Sequence, residues 1–162
     1  MRVGVGYDVH RLVEGRALFL GGIKIPFHKG LLGHSDGDVL IHAICDAILG
    51  AIGEGDIGTH FPDSDESIKG IESTKILVHV ADLARQKGYV VVNIDAVVAA
   101  QEPKIAPLRD AMKKRLASVI GISDDRVSIK GKTTEGLGFT GRKEGIEVYA
   151  VALLQETGGA HG

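Results

Sequence analysis

The first hydrophobic stretch, residues 2–10, reads as a strand that ends in Asp8-Val9-His10. Leu18-Phe19-Leu20 and Ile23-Lys24-Ile25 flank Gly21-Gly22. That is a hairpin pattern, because paired glycines supply the positive φ angles of a tight turn. Ser35-Asp36-Gly37-Asp38 has capping-box spacing and predicts a helix from about Asp38 to Ile52. Between Glu72 and Lys87 the apolar residues Ile76, Leu77, Val80, Leu83 and Ala84 recur on one helical face, with Gly88 as terminator. Tyr89 to Ala100 is rich in β-branched residues and reads as a strand. Pro107 opens a third helix whose apolar face is Leu108, Met112, Leu116 and Val119, stopped by Gly121. Val127 to Lys132 and Ile146 to Leu154 read as further strands. Helices interspersed among strands predict the α+β class: an α/β sandwich with helices packed on one mixed sheet, plus a small β-hairpin. No repeat, low-complexity tract or linker interrupts the chain, so residues 1–162 are expected to form a single domain.

A chain of 162 residues can bury roughly two thirds of the surface its unfolded form exposes. A formal charge of -2 argues against a nucleic-acid-binding surface, which needs clustered Lys and Arg. One cysteine, Cys45, excludes an internal disulfide framework and points to a reducing compartment. Met1 runs straight into a strand, so no signal or transit segment is expected. The longest largely apolar stretch, Val39 to Ile52, is broken by His42 and Asp46 and is shorter than the ~20 residues a membrane span requires. A soluble, cytoplasmic protein with no membrane partner is expected. The 23 glycines, about twice the usual share, serve either tight turns or the close approach of backbone N–H groups to phosphate.

The helix at 38–52 is apolar almost all round and should be buried. Its polar side chains Asp38, His42 and Asp46 are spaced four apart and so share one stripe. Burying two carboxylates and an imidazole is costly unless they pair or bind metal. The stripe is therefore an internal hydrogen-bonded network or, the favoured reading, part of a site lining a cleft. Asp8 and His10 point to one face of their strand. Together with His42 they form a three-ligand site suited to zinc, with a fourth position open for chemistry. Asp46 is expected to orient the His42 imidazole. His34, just before Ser35, is expected near a helix N-terminus, where anions bind. His28, His60 and His161 fall in expected loops or the tail, and His79 on a polar helix face.

Lys130-Gly131-Lys132-Thr133-Thr134-Glu135-Gly136 follows a strand and combines lysines, hydroxyls and glycines. It reads equally as a phosphate cradle, in which Glu135 could hold a hard cation, or as a polar turn. Its spacing is not that of a Walker motif. Asp56-Ile57-Gly58 and Phe61-Pro62-Asp63-Ser64-Asp65 add loop carboxylates, which often only cap turns.

Asp8-Val9-His10, His34-Ser35-Asp36-Gly37-Asp38, His42, Asp56-Ile57-Gly58, Phe61-Pro62-Asp63 and Gly138-Phe139-Thr140-Gly141-Arg142 together resemble the 2-C-methyl-D-erythritol 2,4-cyclodiphosphate synthase family, along essentially the whole chain. The resemblance implies cyclisation of 4-diphosphocytidyl-2-C-methyl-D-erythritol 2-phosphate with release of CMP, in the non-mevalonate isoprenoid pathway. It implies zinc on Asp8, His10 and His42, and Mg or Mn held by Glu135 and the substrate phosphates. His34 and Thr133 would support the transition state. Val9 and Ser35 would flank the substrate beside Asp8, His10 and His34. Asp56, Ile57 and Gly58 would meet the ribose. Phe61, Pro62, Asp63, Ser64 and Asp65 would border the erythritol part. Ala100, Gln101, Glu102, Pro103, Lys104, Ile105 and Ala106 would line the cytidine pocket. Lys132, Thr133, Thr134 and Glu135 would lie along the phosphates. The family is a homotrimer with active sites between subunits, and Phe139, Arg142 and Glu144 would lie near the threefold axis. Lys132 is a departure, since many members carry a small hydroxyl residue there.

The implied chemistry needs no protein nucleophile, because the substrate's own 2-phosphate is already anionic. Cations lower the repulsion between anions, and folding the substrate makes the attack intramolecular. Two other readings use the same residues. A metal-dependent phosphoester hydrolase would activate water, and a non-catalytic nucleotide- or isoprenoid-phosphate-binding module would use its metal structurally.

Overall fold

The computed structural model describes residues 1–158. The chain runs β1 (Arg2–Glu14), β2 (Leu18–Leu20), β3 (Ile23–Ile25), β4 (Lys29–Leu31), α1 (Val39–Ile52), α2 (Ile57–His60), α3 (Ser73–Gln86), β5 (Tyr89–Ala99), α4 (Arg109–Ile120), β6 (Val127–Lys132), α5 (Gly138–Gly141) and β7 (Gly145–Glu156). Five strands form one sheet in the order β4-β1-β7-β5-β6. Only β5 and β6 pair in parallel. The hairpin β2–β3 stands apart, and Gly21 and Gly22 both have positive φ (64° and 77°), as a tight two-residue turn requires. The expected α+β layout with a mixed sheet and a separate hairpin is what the chain adopts.

Three boundaries differ from the expectation. β1 continues past His10 to Glu14, because Leu12, Val13 and Glu14 pair with Leu31, Gly30 and Lys29 of β4. A three-residue strand centred on glycine carries no readable periodicity. Pro107 sits in a 3-10 turn, Ala106–Leu108, and α4 starts at Arg109. Asp38 is the N-cap of α1 rather than its first residue, and its side chain accepts from the Ile41 N–H.

The helices cover one face of the sheet. Helix α1 lies across β1 and β7, and its Leu40, Ile41, Ile44, Ile48 and Leu49 are buried with Val148, Ala150, Ala152 and Leu154 of β7. Gly4 and Gly6 sit under it. A Cβ at either position would come within 1.8 Å of the Ala47 or Ala43 carbonyl oxygen. The helix backbone therefore rests directly on the strand backbone. Side chains alternate along β1, so Gly4, Gly6, Asp8, His10 and Leu12 face the helices. Val3, Val5, Tyr7 and Val9 face outward and are exposed, beside the exposed Tyr149 and Val151 of β7. No helix among the described residues is long and apolar enough to cross a membrane.

Gly6→Ala is expected to cost about 1–3 kcal/mol of stability, as overpacking does where no rotamer can relieve the clash. Chemical denaturation of the variant checks this, and a midpoint equal to the parent's contradicts the backbone-on-backbone contact.

Candidate active site

Beyond Gly6 the helix-facing side of β1 turns polar, and the close packing of α1 brings His42 against it. His10 Nε2 lies 3.0 Å from Asp8 Oδ2 and 3.0 Å from His42 Nδ1, and His42 Nδ1 lies 3.2 Å from the same Asp8 oxygen. These three side chains form the one group of potential metal ligands among the described residues. His10 Nδ1 lies 2.7 Å from the Leu32 carbonyl oxygen, which can only accept, so Nδ1 carries the proton and donates it. The Nε2 lone pair then points at the Asp8 carboxylate and the His42 ring. Groups meeting in this way repel unless a proton or a metal cation sits among them. The edges of a tetrahedron with bonds of about 2.0–2.1 Å are about 3.3 Å long, close to the separations here. Two imidazoles and one carboxylate fit zinc in type and spacing.

The electrostatics agree. Burial would raise the Asp8 carboxyl, yet hydrogen bonds and charge from His10 and His42 outweigh it and hold the group well below the ordinary carboxylate range. Burial would lower His10, but the Asp8 carboxylate and the Leu32 carbonyl raise it above its usual value. The far nitrogen of His42, Nε2, faces two hydroxyls, Ser73 Oγ at 2.9 Å and Ser35 Oγ at 3.1 Å.

The triad lies in a cleft of about 410 Å³. His34, Ser35, Ile57, Gly58, Phe61 and Asp63 join the three ligands in its lining, with Leu32, Gly33, Ile68, Ile71 and Ile76. The lining thus combines polar side chains with apolar ones. Asp56 is exposed and caps α2 by accepting from Thr59. Asp65 caps the turn Glu66–Ile68. Pro62 and Ser64 are exposed at the rim. Val9 does not face the cleft, because the strand turns its side chain to the outer face of the sheet.

A second pocket, about 180 Å³, is lined by Ala100, Gln101, Pro103, Lys104, Ile105 and Ala106 with Arg109, Gly131, Lys132 and Thr133. Gln101 Oε1 and Arg109 Nε are buried there without a hydrogen-bond partner among the described residues. Glu102 turns away to pair with Lys143. Thr134 bonds to Leu137 O and Thr140 Oγ1 within its own turn. Glu135 is exposed in the left-handed region, φ 54°, and lines neither pocket. Phe139 borders a third hollow with Val9, His10, Arg11, Glu144 and Gly145, and Arg142 pairs with Glu144.

Several expectations need correction. Asp38 is fully buried but far from cleft duty: it accepts from the N–H groups of Gly21, Gly22 and Ile41, tying the hairpin turn to the start of α1. Asp46 does not orient His42. Its carboxylate accepts from the Ile57 N–H at 2.7 Å, at the start of the α2 turn, and burial raises its pKa. His34 is not at a helix N-terminus, since the cap is Asp38; its Nε2 bonds instead to Asp65 O. Lys130 pairs with Asp95 rather than joining a cradle. His60 is half-buried, bonded to Glu54 O, while His79 is exposed as expected. His161 lies outside the described residues. Ser73, fully buried against His42, was not legible, because a serine opening a helix reads as an ordinary cap.

Known proteins bear on this geometry. The model of the YgbB family matches residues 1–155. The 2-C-methyl-D-erythritol 2,4-cyclodiphosphate synthase of Pelotomaculum thermopropionicum is 61% identical over 160 residues, covering 99% of each chain. The solved IspF of Plasmodium falciparum, in complex with CDP, superposes with a TM-score of 0.85 at 41% identity, covering 97% of each chain. The bifunctional IspDF of Campylobacter jejuni superposes with a TM-score of 0.92 at 43% identity over 96% of this chain. The chain spans 42% of that longer protein.

Asp8→Asn is expected to weaken zinc binding more than about tenfold, and Asp38→Asn to leave zinc binding near the parent's while lowering stability. The second change leaves buried N–H groups facing an amide, costing about 1–3 kcal/mol. Zinc titration and denaturation of both variants check the contrast; a zinc-binding defect in Asp38→Asn alone would reverse the assignment.

Proposed function

The chain belongs to the YgbB family, and on that premise we propose that it converts 4-diphosphocytidyl-2-C-methyl-D-erythritol 2-phosphate into 2-C-methyl-D-erythritol 2,4-cyclodiphosphate and CMP, a step of the non-mevalonate isoprenoid pathway. The observation that carries the reading is the convergence of Asp8, His10 and His42 at 3.0–3.2 Å in a cleft lined by both polar and apolar side chains. An oxygen of the 2-phosphate bonds to the β-phosphorus. The bond from that phosphorus to the oxygen bridging the two phosphates breaks, and this oxygen leaves on CMP with the electron pair.

Asp8, His10 and His42 would hold zinc; Glu135, exposed beyond β6, would reach a second divalent ion, Mg or Mn, only together with the substrate phosphates. Bound there, the cations act as Lewis acids that neutralise phosphate charge. The chain's own groups place the reactants. His34 and Ser35 line the cleft beside the triad, His34 with its Nε2 held by the Asp65 carbonyl and Ser35 with a hydroxyl available to a phosphate oxygen, and Thr133 offers its hydroxyl just beyond β6. Leu32, Phe61, Ile68, Ile71 and Ile76 cover the carbon skeleton and exclude water, which favours the internal oxygen nucleophile over hydrolysis. In the 100–106 pocket, the unpartnered Gln101 Oε1 and Arg109 Nε suit a base that carries both a donor and an acceptor. A solved relative in complex with CDP supports a cytidine nucleotide as the kind of ligand the chain takes.

The cytidine pocket and the triad of one chain stand at the same end of the sheet but on different strands. Val9, Glu147, Ala99 and Lys132 form one cross-strand row, so β1 and β6 are three strand spacings apart, about 14 Å. We read the complete site as assembled from two copies, the triad of one facing the 100–106 pocket of the next in a homotrimer. The exposed Val3, Val5, Tyr7, Val9, Tyr149 and Val151 support this, since an apolar sheet face is covered in a stable protein. Phe139, Arg142 and Glu144, at the end of that face, would stand near the axis. The active unit is residues 1–162 as one domain, in the cytoplasm, without nucleic-acid or membrane partners.

Incubation with the cytidine-diphospho substrate and divalent metal, followed by phosphorus NMR, is expected to show CMP and a cyclic diphosphate free of solvent oxygen. Linear products carrying solvent oxygen would mean a hydrolase. His42→Ala is expected to lower turnover by at least about 10²–10³, the scale of one lost electrostatic contact to a reacting oxyanion. Val5→Asp is expected to yield a monomer that still binds zinc and does not turn over. A trimeric, active Val5→Asp protein in sedimentation would remove the shared-site reading.

A further inference from the structure

The two imidazoles of the triad are held differently. A backbone carbonyl leaves His10 one choice of tautomer. His42 has no such partner, because Ser35 and Ser73 present hydroxyls, which donate as readily as they accept. If Nδ1 carried the proton, it would face Asp8 Oδ2 at 3.2 Å, a favourable hydrogen bond. That proton would also occupy the position the metal needs. Proximity to Asp8 alone thus favours the wrong ring form.

The proton inventory behind His42 resolves the choice. Ser73 Oγ lies 2.5 Å from Asp36 Oδ1, and a carboxylate can only accept, so the Ser73 hydroxyl proton goes to Asp36. Asp36 is held in place for this task. Its Oδ2 accepts from the Ser73 N–H at 3.0 Å, its Oδ1 accepts from the Asp38 N–H at 3.1 Å, and its own N–H donates to Ile71 O. With its proton spent, Ser73 Oγ offers only lone pairs to His42 Nε2, 2.9 Å away. Ser35 Oγ, 3.1 Å from the same nitrogen, accepts from the Gly37 N–H, and its own proton has acceptors other than His42, in Ser73 Oγ at 3.4 Å and in the cleft that Ser35 lines. Ser73 is 0% exposed, so solvent does not compete for its hydroxyl.

We infer that Asp36 and Ser73 are positioning residues for the metal centre: the chain of acceptance from His42 Nε2–H to Ser73 to Asp36 locks His42 in the tautomer whose Nδ1 lone pair points at Asp8 and His10. The inference rests on the metal-site reading above, and it assigns a role to the first residue of α3 and to a loop aspartate that touch neither ion nor substrate. A carboxylate that orients a metal-binding imidazole directly is a common arrangement; here a buried serine stands between the two.

The test uses the metal-free protein and its zinc form, with Ser73→Ala and Asp36→Asn. At mildly alkaline pH, long-range proton–nitrogen NMR of the metal-free parent is expected to show His42 protonated on Nε2. In Asp36→Asn the amide N–H can donate to Ser73 Oγ, which turns the serine proton toward His42 and moves the ring proton to Nδ1. Zinc affinity, measured by competition with a chromophoric chelator, is expected to fall about 10–100-fold in either variant. A parent protein with His42 protonated on Nδ1 alone would overturn the relay even if neither variant folds. Zinc bound equally tightly by both folded variants and the parent would overturn the relay while leaving the metal site standing. Failure of the parent to bind zinc would remove the metal site and the relay together.

Discussion

The backbone of helix α1 rests on the backbone of strand β1, and the functional geometry depends on that contact. Gly4 and Gly6 permit it, since any Cβ there would enter the Ala47 and Ala43 carbonyls. A helix held that close presents its next inward residue, His42, to the next two inward residues of the strand, Asp8 and His10. Helix α1, which builds the core by packing Ile44 and Ile48 with Val148 and Ala150 of β7, thus also joins β1 in aiming three potential metal ligands at one point. Rigid elements, rather than loops, carry the ligands. Sites built this way hold their geometry better than loop-borne ones.

Around this point the structure separates tasks. Asp38 holds the hairpin to the helix start, Asp46 holds the turn that begins at Ile57, and Asp36 with Ser73 stands behind His42. Each of these carboxylates meets only backbone or hydroxyl donors, whereas Asp8, whose Oδ1 accepts from the Val9 N–H, turns its Oδ2 to two ring nitrogens. The binding surfaces are separated too. The triad's cleft and the 100–106 pocket lie three strand spacings apart on one chain, and the outward face of β1 and β7 is apolar and exposed. A substrate with a nucleotide at one end and a phosphorylated polyol at the other suits such a division.

Much of this was legible in the residues. The two-residue step from Asp8 to His10 put both on one strand face, and the nearly unbroken apolar helix made His42 conspicuous. The stripe of Asp38, His42 and Asp46 misled because a shared helical face is not a shared point. Four residues advance about 6 Å along the axis, so only one of three such groups can reach a single ion. The other two meet whatever lies above and below, here the hairpin turn and the α2 turn. Strand β4 and Ser73 were hidden for another reason. A three-residue strand shows no period, and the partner of Ser73 lies 37 positions away in the chain. The motifs at 56–65 and 100–106 were legible through family resemblance and not through periodicity, since loops carry no repeat to read.

The central claim is that Asp8, His10 and His42 close on one metal ion. X-ray absorption at the zinc edge of the loaded protein measures this most directly. The account predicts two imidazoles with oxygen donors at about 2.0–2.2 Å, and loss of that signature in His42→Ala. A zinc environment without imidazole scattering, or one unchanged when His42 is removed, would contradict it.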